Sequence, residues 1–127
     1  MSEERIVAIL GASSDRSKFG NKSVRAHLRA GWKVIPVNLK SGTIEGLDIA
    51  TALDQIAGTT ERISVYLPPR VLLGMLPEIA AIGCDELWLN PGCYDDEVLR
   101  QAERLNLNVV TGCSIIDVGF SPGDFPD

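Results

Sequence analysis

The apolar positions of this chain come in short unbroken runs, without the strict alternation of a half-exposed sheet. Ile6 to Leu10, Lys33 to Asn38, Ile63 to Leu67, Glu86 to Asn90 and Asn108 to Thr111 read as strands covered on both faces, as in a parallel sheet. Pro36, inside the second run, removes one ladder hydrogen bond. Between the runs the period changes to that of helices, over Lys22 to Ala30, Arg70 to Ile82 and Asp95 to Leu105. A shorter helix is predicted over Thr51 to Ala57 with Leu53 and Ile56 inward. Asn21 is the expected N-cap of the first helix and Gly31 its stop at C′. Pro77 is expected to kink or split the second, and acidic residues begin the third. Ser41 to Ile49 reads as loop with a short edge strand near Ile49. Ser114 to Asp127, with two Gly and two Pro, reads as an extended tail.

Strands therefore alternate with helices, which implies right-handed crossovers and a Rossmann-like, doubly wound α/β domain over residues 1–117, with a tail over 118–127. The expected strand order is 3-2-1-4-5-6, the third strand being short. Ligands in such a sheet bind at the carboxyl ends of the strands, where the order reverses between the first and fourth. Four segments would meet there: Gly11 to Lys18, Val37 to Lys40, Leu67 to Arg70, and Asn90 to Cys93.

Composition narrows the function classes. A chain of 127 residues with 23% charged and 45% apolar positions is expected to form one domain, with no room for a second catalytic one. The net charge of −5 argues against general affinity for nucleic acid. No apolar run approaches the roughly 20 residues of a membrane span. Met1 to Arg5 lacks the pattern of a signal peptide, and three unevenly spaced cysteines make no disulfide framework, so a reducing cytoplasm is expected.

The first loop carries the most specific chemistry. Gly11-Ala12-Ser13 follows a buried strand and precedes a helix whose free N–H groups and dipole would favour a phosphate or pyrophosphate. Ser13 stands where the dinucleotide pattern G-x-G-x-x-G has its second glycine, so NAD-type binding is disfavoured. The alternative is an ordinary strand-to-helix turn. An NAD site would offer a carboxylate after the second strand, whereas Asn38-Leu-Lys40 offers a cation, suited to a phosphorylated ribose as in NADP or CoA. Lys18 could meet the pyrophosphate, although either lysine could equally be a solvated surface charge. Tyr66 to Arg70, with Pro68-Pro69, offers an apolar wall for adenine or a pantetheine arm, or simply a helix start. The single histidine, His27, lies mid-helix and suits a surface or packing role better than acid–base work, and no nucleophile–base pair or metal-ligand spacing occurs. Asp95, Asp96 and Glu97 read as helix-start charges. No catalytic or metal residue is therefore expected. Cys93 and Cys113 follow adjacent strands on the ligand side and could touch a thiol; Asp95 and Asp96 oppose ionisation of Cys93, making Cys113 the better candidate, and Cys84 belongs to the far edge.

Taken in order, Gly-Ala-Ser13 with Lys18, Gly20 and Asn21, Pro-Val-Asn38 with Lys40, Leu-Pro-Pro69, Leu-Trp-Leu89, and Val-Val110 with Cys113 resemble the small stand-alone CoA-binding proteins. These are similar to the N-terminal CoA-binding domain of the succinyl-CoA synthetase alpha subunit. The resemblance runs from Arg5 to Asp117 and implies that Gly11, Ala12, Ser13, Lys18, Val37, Asn38, Lys40, Pro68 and Pro69 line a CoA site. Asn21, Leu67 and Arg70 complete the candidate set. Leu39 replaces the family's usual proline, Tyr66-Leu67 its aromatic–arginine pair, and Gly112 an arginine; Arg70 stands as a substitute for one lost cation. The synthetase's phosphorylated histidine belongs to a further domain. The expected function is binding of CoA or acyl-CoA without catalysis of its own, alone, as a homodimer or through a protein partner. The alternatives are an NADP-type oxidoreductase fragment, or half of a CoA ligase completed by a partner chain.

Overall fold

In the computed structural model, which describes residues 4–58 and 60–127, the elements alternate as the apolar runs predict. The signal-peptide reading of Met1 to Arg5 rests mainly on residues 1–3, outside that range. In chain order they are β1 (Ile6–Leu10), α1 (Phe19–Arg29), β2 (Lys33–Val37), β3 (Thr43–Ile44), β4 (Leu47–Asp48), β5 (Arg62–Val65), α2 (Pro69–Ile82), β6 (Glu86–Leu89), α3 (Asp96–Arg104), β7 (Val109–Thr111) and α4 (Ser114–Asp117). A 3-10 turn, Leu53–Ile56, buries both Leu53 and Ile56 as expected.

Five parallel strands form the main sheet in the order β2-β1-β5-β6-β7. Apart from the third strand this is the expected order. Val7 to Leu10 have no exposed surface, because β1 is paired on both sides and covered on both faces. On one face Ala8, Leu10, Ile63, Val65, Leu87 and Leu89 pack beneath α2 and α3; on the other, Val7, Ile9 and Val34 pack against Val24 of α1 and Trp32.

The expected third strand shrinks to a single parallel bridge between Val37 and Ala50. The preceding residues are used instead in the hairpin β3–β4, whose turn places Glu45 at φ +50 and Gly46 at φ +80. Pro77 neither ends nor splits α2, which runs unbroken from Pro69 to Ile82 with Pro77 on its exposed side. Residues 114–127 are not simply extended. They form α4, then a 3-10 turn at Pro122–Asp124 with a capping box from Ser121, and they bury Phe125 against Ala26 and Ile115.

That second face of the sheet is polar at its centre. Asn90 donates to Ser64 Oγ and to the Val65 carbonyl at 2.9 and 2.8 Å, and its Oδ1 accepts from the Ser114 N–H at 2.9 Å. Ser64 and Ser114 hydroxyls are 2.7 Å apart, and Tyr66 Oη reaches Ser114 at 3.1 Å. Nearby, the Arg62 guanidinium stacks between Trp32 and Trp88, at 4.7 and 4.5 Å from their ring centres. It donates to Glu86 at 3.0 Å and to Asp117 at 2.8 Å, so α4 is fastened to β5 by a charge-assisted hydrogen bond.

Candidate functional site

Two glycines allow three backbones to converge at the carboxyl end of β1. Gly11 has φ +83, and a Cβ there would overlap the carbonyl of Tyr66; a Cβ on Gly20 would overlap the carbonyl of Gly11. The end of β1, the residue after β5 and the first turn of α1 thus pack backbone to backbone. The loop that follows is braced by β2. Gly11 and Ala12 donate their N–H groups to the Val37 carbonyl at 3.1 and 3.3 Å, and Asn38 Nδ2 donates to the Ala12 carbonyl at 2.6 Å. Within the loop, Ser13 Oγ accepts from the Asp15 N–H at 3.0 Å, while the Asp15 carboxylate accepts from the Ser17 N–H and hydroxyl at 3.0 and 2.6 Å. These bonds hold the Asp15 carboxyl below the usual carboxylate range.

A cleft of about 550 Å³ opens beside this loop, in the size range of small-molecule sites. Gly11, Ser13, Lys18, Phe19 and Gly20 form one wall; Tyr66 to Pro69 and Pro91 to Cys93 form the other. No side chain caps the first turn of α1 and no acidic residue occupies it, so the positive end of that helix is not neutralised by its own side chains. The opposite wall is poor in donors because Pro68 and Pro69 have no N–H. Burial raises the Cys93 thiol pKa above its ordinary value, against which a hydrogen bond with the Leu67 backbone works. Burial likewise raises the Tyr66 phenol.

Of the residues expected at the site, Gly11, Ser13, Lys18, Leu67, Pro68, Pro69 and Cys93 line this cleft. Ala12, Asn21, Val37, Asn38, Lys40, Arg70 and Cys113 do not. Ala12 is buried in the core, and Val37 and Asn38 spend their polar groups on the loop backbone. Asn21 is not the N-cap; Lys18 holds that position, and Asn21 is fully buried in the first turn. Its Nδ2 donates to the Ser13 carbonyl at 2.9 Å. Lys40 and Arg70 are exposed beyond the cleft walls. Cys113 is half-buried outside the cleft, and Cys84 is at the opposite end of the sheet with its thiol pushed up to about 11 by burial. Pro91 and Gly92 line it as part of the segment Asn90 to Cys93 expected at the crevice, whereas Phe19 was not anticipated and Gly20 was legible only as part of the motif order. Of the surface and packing roles open to His27, it has the packing one: it is fully buried, with Nδ1 2.8 Å from the Ser23 carbonyl. Among the described residues no three His, Cys, Asp or Glu side chains cluster to hold a metal, and no helix is long and apolar enough to cross a membrane.

The sequence model of the CoA binding domain matches residues 5–119. The chain belongs to that family. Solved structures share its fold. A conserved hypothetical protein from Pyrococcus furiosus is 27% identical, with a TM-score of 0.81 over 91% of this chain and 99% of its own. A Thermus thermophilus protein is 25% identical, with a TM-score of 0.82 over 90% of this chain and 87% of its own. An acetyl-coenzyme A synthetase 1 of Candidatus Korarchaeum cryptofilum, in complex with phosphate and ADP, shares the fold at 22% identity and a TM-score of 0.72; the match covers 83% of this chain but 25% of the synthetase.

Proposed function

We propose that the protein binds CoA or acyl-CoA in this cleft, in the cytoplasm, and performs no catalysis of its own. One observation carries the reading: the uncapped start of α1, with Lys18 beside it, faces a donor-poor wall of Leu67, Pro68 and Pro69 across the same cleft. A diphosphate fits the first, where backbone N–H groups and a cation are concentrated. A pantetheine arm fits the second and would run toward Cys93. The phosphorylated ribose of CoA would extend past the wall toward Lys40, which is exposed after β2 and outside the cleft. Family membership supports the ligand class.

A second reading is that a partner chain supplies catalytic groups. It is favoured by the synthetase in which the matching portion is a quarter of a longer chain. Thermal shift with CoA, NAD and NADP tests the primary reading, since a ligand of the native state stabilises it in proportion to RT ln(1 + [L]/Kd). CoA is expected to raise Tm and NAD to leave it unchanged. Equal stabilisation by NAD, or preference for NADP over CoA, would overturn it.

A further inference from the structure

Arg25, in the second turn of α1, is half-buried and does not line the cleft, yet it gathers four separate hydrogen bonds. Its Nε donates to Asn21 Oδ1 at 2.8 Å, the same Asn21 whose amide holds the Ser13 carbonyl. Its Nη2 donates to the Arg16 carbonyl, within the loop, at 2.9 Å. The remaining bonds run to the carbonyls of Phe125 at 3.2 Å and Pro126 at 2.8 Å. One guanidinium therefore ties the loop over residues 13–16 to a segment a hundred residues away. That segment is itself anchored: Phe125 is 1% exposed, stacks edge-on against Phe120 at 5.5 Å, and lies beneath the Arg29 guanidinium at 4.7 Å.

We infer that Arg25 and the docked segment Phe125–Pro126 are positioning elements for the phosphate-facing loop, so that docking of this segment and ligand affinity are coupled. The planar fork of arginine meets carbonyls in three directions at once, which a lysine ammonium on a flexible stem cannot reproduce. Coupling of this kind is reciprocal: whatever undocks the segment weakens the ligand, and the ligand strengthens docking. The affinity half of this inference rests on the CoA reading above; the loop-ordering half does not.

Hydrogen exchange of the free protein and CoA titration together test it, using Arg25→Gln, Phe125→Ala and the conservative Phe125→Leu. In Arg25→Gln and Phe125→Ala, the amides of Asp15, Ser17 and Lys18 are expected to exchange at least tenfold faster, while those of Val7 to Leu10 keep their rates, because the opening is local. Phe125→Leu keeps the carbonyls and the apolar plug and should restore slow exchange. CoA affinity should fall about tenfold in the first two variants and return in the third. Unchanged loop exchange in Arg25→Gln overturns the inference, and so does acceleration spread equally over β1. If the unaltered protein does not bind CoA, the functional reading fails while the exchange result still decides whether the segment orders the loop.

Discussion

Gly20 lies against Gly11 so closely that neither a Cβ nor any larger group fits between α1 and the end of β1. The start of the helix is thereby brought onto the loop that faces the cleft. Gly20→Ala must push the helix away, an overpacking change expected to cost about 1–3 kcal/mol in urea denaturation. Gly11→Ala adds a left-handed φ to its own overlap with Tyr66 and should cost more. Gly31→Ala, at φ +93 but with open space around it, supplies the contrast and should cost only about 1 kcal/mol.

Lys18 and Lys40 differ in reach, and ligand fragments should separate them. Lys18→Ala is expected to weaken CoA and dephospho-CoA alike, by about 1–3 kcal/mol, the scale of losing a hydrogen bond between charged groups. Lys40→Ala should weaken CoA but leave dephospho-CoA almost unchanged. Calorimetric titration of both ligands reads this directly, and equal losses at Lys40 would remove its assignment to the 3′-phosphate.

Acid stability should carry the mark of His27. Burial, with Arg62 and Arg5 adding to it, lowers its pKa from 6.5 to about 4, against which its bond to Ser23 and the charge of Asp117 work. The unfolded chain therefore takes up a proton that the folded one refuses. Its contribution to stability is intact above pH 6.5 and is lost as pH falls toward 4, by up to about 3 kcal/mol. Glu61, held low by Arg5, and Asp15 are lost only at more acid pH, so the window between pH 6.5 and 4.5 isolates the histidine. Denaturant midpoints of His27→Gln across that window should be nearly flat.

Thiol exchange gives a further check. Attack of a protein thiolate on CoA disulfide forms a mixed disulfide and releases one CoA thiolate, so the rate follows access and ionisation. Cys84, with its pKa near 11 and far from the cleft, is expected to react slowest. Cys113 should form the adduct faster, and intact-mass analysis with peptide mapping would show equal labelling of all three cysteines if that is wrong.

The strand order and the helix positions were legible because each rests on a local pattern: an unbroken apolar run, a glycine stop, an acidic helix start. What the pattern could not reveal is where polar side chains spend their hydrogen bonds. Asn21 and Asn38 read as ligand contacts, yet each donates to a loop carbonyl, and the partner of Asn38 is 26 residues away. Residues 118–127 read as tail because one buried aromatic, Phe125, is too little apolar signal to predict docking. The cleft's second wall was legible in both its parts, because Leu67 to Arg70 and Asn90 to Cys93 each follow the carboxyl end of a parallel strand.

The bracing of residues 11–18 by β2 and α1 has a consequence for the kinetics of encounter. On the proposed reading, a diphosphate arriving there meets a loop whose backbone was fixed when the sheet formed, so little entropy remains to be lost at the moment of capture. Association should accordingly follow a single concentration-dependent phase with no slower rearrangement behind it. Differences among ligands that share the same diphosphate would then reside in how long each one stays.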